Sequence, residues 1–269
     1  MTYAWDIRAR VQSEGGAHVQ EDSCGHYGPN AWIIDGATAL LEPLNLPSAS
    51  DPQWLAQLLS MKFAQASAGT GEHQRGSAQL DDSGVRGVLA RALEEIDHEA
   101  TALVGNEKVR FPSAAVSVAQ LNSSGVEIAS LADCTVVARM PDGETLLIRA
   151  ELADSRIPPE ATAQARLRLL QQDRELRNTP GRLWVARREP EAADHAHVVQ
   201  IGRPELLVMA SDGAWRAVDL GLVSGPGEFL DRSRNTLEAL GLLHELRMHQ
   251  QRIGEVADDA TILTLAPQA

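Results

Sequence analysis

The chain has 269 residues, of which 43% are hydrophobic, 23% charged and only 4% aromatic, so its core must be built mainly from Leu, Val, Ile and Ala. Its formal net charge is −13, and only two of its 24 basic residues, Lys62 and Lys108, are lysines. This balance argues against nucleic acid or a membrane surface as a partner, yet permits a phosphorylated substrate where bound cations invert the local field.

The chain opens on Met1-Thr2-Tyr3-Ala4-Trp5-Asp6, with neither a basic stretch nor an apolar run, so no signal peptide is visible. Trp5–Ile7 reads as a short strand, Gly15-Gly16 as a turn and Ala31–Asp35 as a second strand. Pro43–Pro52 is a loop, after which Trp54, Leu55, Leu58, Leu59 and Phe63 fall at helical spacing and predict an amphipathic helix over Pro52–Ala66. Ala68–Ser83 reads as a loop, and Val88, Leu89, Leu93, Ile96 and Leu103 predict a second helix. Beyond Pro112 the pattern shortens to β-prone segments at Ala114–Gln120, Val126–Leu131, Thr135–Met140 and Thr145–Arg149. With Asn122-Ser123-Ser124-Gly125 and Pro141-Asp142-Gly143 as turns, these read as an antiparallel meander.

Pro158-Pro159 opens a Gln- and Arg-rich helix to about Arg177, whose arginines (Arg166, Arg168, Arg174 and Arg177) read as a solvated face. Leu206–Ser211 is a buried strand, Phe229–Gln251 one long helix and Ala260–Leu265 the last strand. Strands and helices come in blocks rather than alternating, which predicts an α+β fold with antiparallel sheets. Without internal repeats or low-complexity linkers, a single domain over residues 1–269 is expected. No apolar run approaches the roughly 18 residues that would suggest a membrane span. Cys24 and Cys134 are too few for a disulfide framework or a zinc site, so a reduced, cytoplasmic protein is expected. Neither cysteine has an arginine at the sixth following position, where Asn30 and Met140 stand, so a cysteine-phosphatase loop is excluded. His195 and His197 alternate as if on one face of an extended stretch and suggest packing rather than ligation.

Four acidic clusters stand beside strand-like runs: Gln20-Glu21-Asp22-Ser23, Trp32-Ile33-Ile34-Asp35-Gly36, Val208-Met209-Ala210-Ser211-Asp212-Gly213, and Asp258-Asp259-Ala260-Thr261 leading into Ile262–Leu265. A carboxylate at a strand end is rigidly held, and several that converge cannot all stay ionised without a cation. Preorganised carboxylate oxygens suit hard divalent ions, which points to a metal-dependent hydrolase.

Together with Leu131-Ala132-Asp133-Cys134, these clusters occur in an order and context that resembles the PP2C-like metal-dependent protein phosphatases (the PPM superfamily) from about residue 15 to 265. The likeness is to compact bacterial members whose second motif reads Asp-Gly-Ala-Thr, here Asp35-Gly36-Ala37-Thr38. The resemblance implies a four-layer α-β-β-α sandwich of two antiparallel sheets flanked by helices, with two Mn²⁺ or Mg²⁺ ions at one end. By that resemblance Asp35 bridges the ions, the Gly36 carbonyl binds one, Glu21, Asp212 and Asp258 complete the two spheres, and Asp22 acts through metal-bound water. Asp133 matches an Asp that helps hold a third, weaker ion in some members. The implied reaction is phosphomonoester hydrolysis by a metal-activated water, on phosphoserine or phosphothreonine in proteins or on a small phosphomonoester, with Asp35 and Asp212 as the catalytic pair.

Several positions depart from the family pattern. Where the family often has a phosphate-gripping Arg, four residues before the motif Glu, this chain has Ala17, with His18 beside it as a candidate replacement. Ala37 follows Asp-Gly where animal-type members carry a His, Ala132-Asp133-Cys134 replaces Gly-Asp-Ser, and Gln20 replaces an Asn. These departures keep a second reading open, a catalytically weak PP2C-like module that binds phosphoproteins or a partner. A haloacid-dehalogenase-like reading of Ile34-Asp35-Gly36-Ala37 fails because Ala37 stands where that chemistry needs a second Asp. Glu151–Pro204 is the stretch least bound by motifs and is expected to hold any flap that selects substrate.

Overall fold

The structure, a computed structural model, describes residues 3–16, 18–69, 84–150 and 162–268. Two five-stranded antiparallel sheets lie face to face. The first has the order β1-β10-β9-β6-β7, from β1 (Trp5–Ser13), β10 (Ala260–Pro267), β9 (Leu206–Ala210), β6 (Thr135–Arg139) and β7 (Thr145–Ile148). The second has the order β2-β3-β4-β5-β8, from β2 (Ser23–Tyr27), β3 (Asn30–Gly36), β4 (Ala114–Asn122), β5 (Gly125–Leu131) and β8 (His197–Ile201).

Strand alternation explains why the runs are apolar throughout. Side chains on a strand point alternately to opposite faces, and here both faces of each sheet are covered. Ile33 of β3 points into the space between the sheets, where it joins Cys24, Ile128, Val136, Met209 and Leu263. Its neighbours Trp32 and Ile34 point outward, under α1 (Asp51–Gly69) and α2 (Val85–Val104), against Leu55, Phe63, Leu89 and Leu93. On the first sheet Met209 points in, whereas Val208 and Ala210 meet α4 (Asp212–Asp219), α5 (Pro226–Asp231) and α6 (Thr236–Ile253) through Trp215, Phe229 and Leu242. Three apolar layers therefore separate four layers of secondary structure, the α-β-β-α arrangement expected.

Several local expectations change. The first strand is nine residues long rather than three, and β2 and β8 are additional strands. The segments after Pro112 do not form one meander. β4 and β5 pair within the second sheet, and the chain then crosses at Ala132-Asp133-Cys134 to pair β6 and β7 in the first. Ala132 takes a left-handed conformation there, with φ 60°. The long helix foreseen over Phe229–Gln251 is two helices. Ser233–Asn235 breaks it, and the Asn235 side chain caps α6 by accepting from the Glu238 N–H at 3.1 Å. Ala68 and Gly69 end α1, while 70–83 of the expected loop and 151–161, with Pro158-Pro159, lie outside the described residues.

The Arg-rich helix α3 (Ala163–Leu176) is capped by Thr162, whose hydroxyl accepts from the Ala165 N–H at 3.2 Å. None of its residues is buried in the core. Polar side chains hold it instead to the loop that follows β3. His195 ends a 3₁₀ helix, Pro190–His195, and stacks on Trp184 at 3.6 Å, whereas His197 starts β8, so the two histidines do not share an extended face.

Candidate metal centre

The acidic clusters meet at one end of the sandwich because each sits at the same end of a strand. Asp35 closes β3, Glu21 and Asp22 precede β2, Asp212 follows β9, Asp258 and Asp259 precede β10, and Asp133 lies in the crossing from β5 to β6. The Asp212 N–H donates to Asp35 Oδ2 at 3.1 Å, linking the two sheets at this point.

Each carboxylate carries an electrostatic mark of the others. Asp22 is buried, and burial raises it to about 7; the Thr261 and Ser211 hydroxyls partly offset this, while Asp259 and Asp212 add to it. Its Oδ2 is buried and has no hydrogen-bond partner among the described residues. Asp35 is raised well above its ordinary range by desolvation and then by the charges of Asp22, Asp212 and Asp133, while the bond from the Asp212 N–H lowers it. Asp212 reaches the surface at the N-terminus of α4, yet desolvation and the Asp133 charge raise it to about 6. Glu21 is raised by burial and by Asp259 and Asp258, offset by the Ser50 hydroxyl, which donates to Glu21 Oε1 at 2.6 Å. Repulsion of this kind is relieved by protons or by cations.

The backbone around the site is tightly set. A Cβ on Gly36 would lie 2.3 Å from the Glu21 carbonyl oxygen, and one on Gly213 would lie 1.9 Å from the Asp259 carbonyl oxygen. Only glycine lets β3 and α4 approach the neighbouring loops so closely. Asp259 is buried and organises the site: Oδ1 accepts from the Gly15 N–H at 2.7 Å and Oδ2 from the Glu21 N–H at 2.6 Å. Asp258 is exposed, and its Oδ1 accepts from the Asp259 N–H at 2.9 Å. His18 stands exposed in the turn after β1 with φ 56°, while Ala17 lies outside the described residues.

The donor set is all oxygen, which fits a hard divalent cation, and the orphaned Asp22 oxygen gives a bound cation or its water a polar partner. Among the described residues, no three His, Cys, Asp or Glu side chains form a ready-made metal-binding group. The carboxylates are thus coupled through space rather than closed around one point.

Sequence reasoning missed three groups of residues here. Ser211 and Thr261 lie inside the quoted motifs, and their hydroxyls face Asp22. Arg247 of α6 donates to Ser13 Oγ at 3.0 Å and to the Ser13 carbonyl at 2.8 Å, within the field of Asp259, Asp258 and Asp22. Arg174 and Arg177 are not a solvated face. Arg166 and Arg168 are exposed, whereas Arg174 donates to the Thr38 carbonyl at 2.9 Å and Arg177 to Ser113 Oγ at 2.6 Å. A helical wheel of α3, none of whose residues is buried in the core, holds no signal for that orientation.

Neither a protein-family model nor a curated protein sequence matches this chain. Solved structures do match its fold. The PPM Ser-Thr phosphatase MsPP from Mycobacterium smegmatis, in complex with cacodylate, superposes with a TM-score of 0.56 at 12% identity, covering 96% of this chain and 97% of that one. The catalytic domain of the serine threonine protein phosphatase PstP, in complex with two manganese ions, superposes with a TM-score of 0.55 at 13% identity over 100% of this chain and 99% of that one. Serine-threonine phosphatase 2C from Toxoplasma gondii gives a TM-score of 0.59 at 14% identity, over 99% of this chain and 95% of that one. This chain therefore has the fold of PP2C-type phosphatases.

Proposed function

We propose that this chain is a single-domain, metal-dependent phosphomonoester hydrolase of the PP2C-like type, acting on phosphoserine or phosphothreonine in proteins. The observation that carries this reading is the meeting of carboxylates from both sheets at one end of the sandwich, with Asp22, Asp35 and Asp212 each raised by burial and by the charges of neighbouring aspartates. Clustering of this kind is costly unless a cation offsets it. The fold likeness to PstP, whose catalytic domain was solved with two manganese ions, supports the same reading.

In this reading Glu21, Asp35, Asp212, Asp258 and the Gly36 carbonyl hold two Mn²⁺ or Mg²⁺ ions, Asp22 acts through water, and Asp133 helps hold a third. That no closed ligand group is found among the described residues is compatible with such ions, because Mg²⁺ keeps several of its waters and needs only one or two carboxylates. Two bound cations supply an acidified water as nucleophile and Lewis acidity toward the phosphoryl oxygens. The chain's own residues do the positioning. Asp259 fixes the backbone at Gly15 and Glu21, Ser50 orients Glu21, and the Asp212 N–H fixes the Asp35 carboxylate. His18 stays a candidate for phosphate contact from the turn after β1.

The test is p-nitrophenyl phosphate hydrolysis with Mn²⁺, Mg²⁺ or EDTA, comparing the native chain with Asp35→Asn and Asp212→Asn. Manganese-dependent turnover that falls at least about 100-fold in both variants is expected, the scale of losing a transition-state stabiliser. The departures from the family pattern, Ala17 and Ala37 among them, favour one second reading, a PP2C-like module that binds phosphoproteins without turnover. Tight Mn²⁺ binding with no hydrolysis under any metal would replace the hydrolase by that module.

A further inference from the structure

Two guanidinium groups converge on one oxygen beside the acidic cluster. Arg177 Nη1 lies 2.6 Å and Arg174 Nη1 3.4 Å from Ser113 Oγ, at the start of β4. Arg174 also spans the loop after Asp35-Gly36, contacting the carbonyls of Ala37 at 3.4 Å and Thr38 at 2.9 Å. Its charge is felt by Glu21, and the charge of Asp133 is felt by Arg177, so both lie within electrostatic reach of the candidate metal centre.

Their partners are weak for cations so far withdrawn from water. Arg187 nearby shows the alternative: it grips both oxygens of Glu189, at 2.9 and 2.6 Å. Among the described residues neither Arg174 nor Arg177 makes such a fork. Among the described residues the buried Arg177 Nε makes no hydrogen bond of ordinary length and is paired with Asp173 at 3.6 Å. Arg174 is pushed down to about 10 by burial and then by the Arg177 charge. An anion between the two would relieve the repulsion and use the planar donors of both.

The pair is also held in place. Asn178, just after Arg177, donates from Nδ2 to the Val185 carbonyl and to Glu189 Oε2, each at 3.1 Å, and its Oδ1 accepts from the Val185 N–H at 2.8 Å. The next residue, Ala186, forms a two-way backbone bridge with Ala114, the neighbour of Ser113. The C-terminal end of α3 is thus tied to the start of β4, while the rest of the helix is docked by polar contacts such as Gln171 to the Leu40 carbonyl at 2.9 Å.

We propose that Arg174 and Arg177 form an anion cradle centred near Ser113 Oγ that receives the phosphoryl group of a phosphomonoester at the edge of the carboxylate cluster. This rests on the hydrolase reading for its biological meaning but not for its chemistry. The cradle places the phosphate-binding function on α3, within the stretch expected to select substrate, and sets two fixed positive charges against an otherwise acidic protein.

Calorimetric titration of inorganic phosphate into the full chain, once with saturating Mn²⁺ and once with EDTA, tests it. Arg174→Gln and Arg177→Gln are each expected to weaken phosphate binding about tenfold, the loss of one charge-assisted hydrogen bond, and to raise KM for p-nitrophenyl phosphate more than they lower kcat. Arg174→Lys and Arg177→Lys, which keep the charge and guard against misfolding, should recover part of the affinity. Arg166→Gln, on the exposed face of α3, should bind phosphate as the native chain does. Native-like phosphate affinity in the folded Gln variants, an equal loss in Arg166→Gln, or no phosphate binding by the native chain in either condition would overturn the cradle. Arginine-dependent phosphate binding without metal-dependent turnover would keep the cradle and remove the hydrolase. Turnover that is metal-dependent but indifferent to both arginines would do the reverse.

Discussion

Asp258 and Asp259 are adjacent and chemically identical, yet the fold gives them opposite duties. Successive residues entering β10 point to opposite sides, so Asp258 faces solvent while Asp259 turns inward and accepts from two backbone N–H groups. An amide at position 259 would keep one acceptor and set an NH₂ against the second N–H. Asp259→Asn is therefore expected to destabilise the metal-free chain by about 1–3 kcal/mol, read by urea denaturation in EDTA, whereas Asp258→Asn should stay within about 0.5 kcal/mol. Equal effects would mean that the Asp259 bonds are not what holds Gly15 and Glu21. Gly213 belongs to the same arrangement. A Cβ there would collide with the Asp259 carbonyl, so Gly213→Ala should cost about 2–3 kcal/mol by forced backbone displacement, measurable in the same denaturation series.

At the scale of elements, helices α1 and α2 were legible because their apolar residues recur at the period that faces one sheet. The second half of the chain was harder. Phe229 and Leu230 share an apolar pattern with Ala239, Leu242, Leu243 and Leu246, and all pack on the same face of the first sheet, so the spacing reads as one helix. What separates α5 from α6 is the Asn235 cap. Asn235→Ala is expected to lower stability by about 1 kcal/mol, seen as a drop in thermal midpoint, while Asn235→Ser or Asn235→Asp should be nearly neutral. A neutral Ala variant would show that packing alone ends α5. Helix α3 is the opposite case, since its position depends on polar bonds to the Ala37–Leu40 loop rather than on an apolar face.

At the scale of the whole molecule, the acidic end couples stability to pH and to cations. Asp22 at about 7 and Asp212 at about 6 stand above their ordinary value of 3.8, so the folded chain takes up protons that the unfolded chain has lost. For raised carboxylates the stabilising contribution is complete below the unfolded value and disappears as pH rises through the folded one. The metal-free protein should therefore lose stability between about pH 4 and pH 7, by on the order of 2–4 kcal/mol from buried Asp22 alone. Scanning calorimetry in EDTA from pH 5 to 8 should show a falling midpoint, and excess Mn²⁺ should remove the fall by taking the place of the protons. Asp22→Asn should flatten the metal-free profile. A flat native profile in EDTA would mean that the carboxylates do not burden one another as described.

The sequence by itself determined what local chemistry determines. Runs such as Trp32-Ile33-Ile34 and Leu207-Val208-Met209 are apolar on both alternations, so they had to be strands covered on two faces. Acidic residues next to those runs had to lie at strand ends. Only the tertiary structure decided which ends meet. The crossing at Ala132–Cys134 that puts β4 and β5 in one sheet and β6 and β7 in the other, the pairing of β8 beside β5, and the inward turn of Arg174 and Arg177 all depend on partners distant in the chain. Periodicity reports which face of an element is apolar. It holds no information about which element will cover that face, nor about where a polar side chain on a surface helix finds its acceptor.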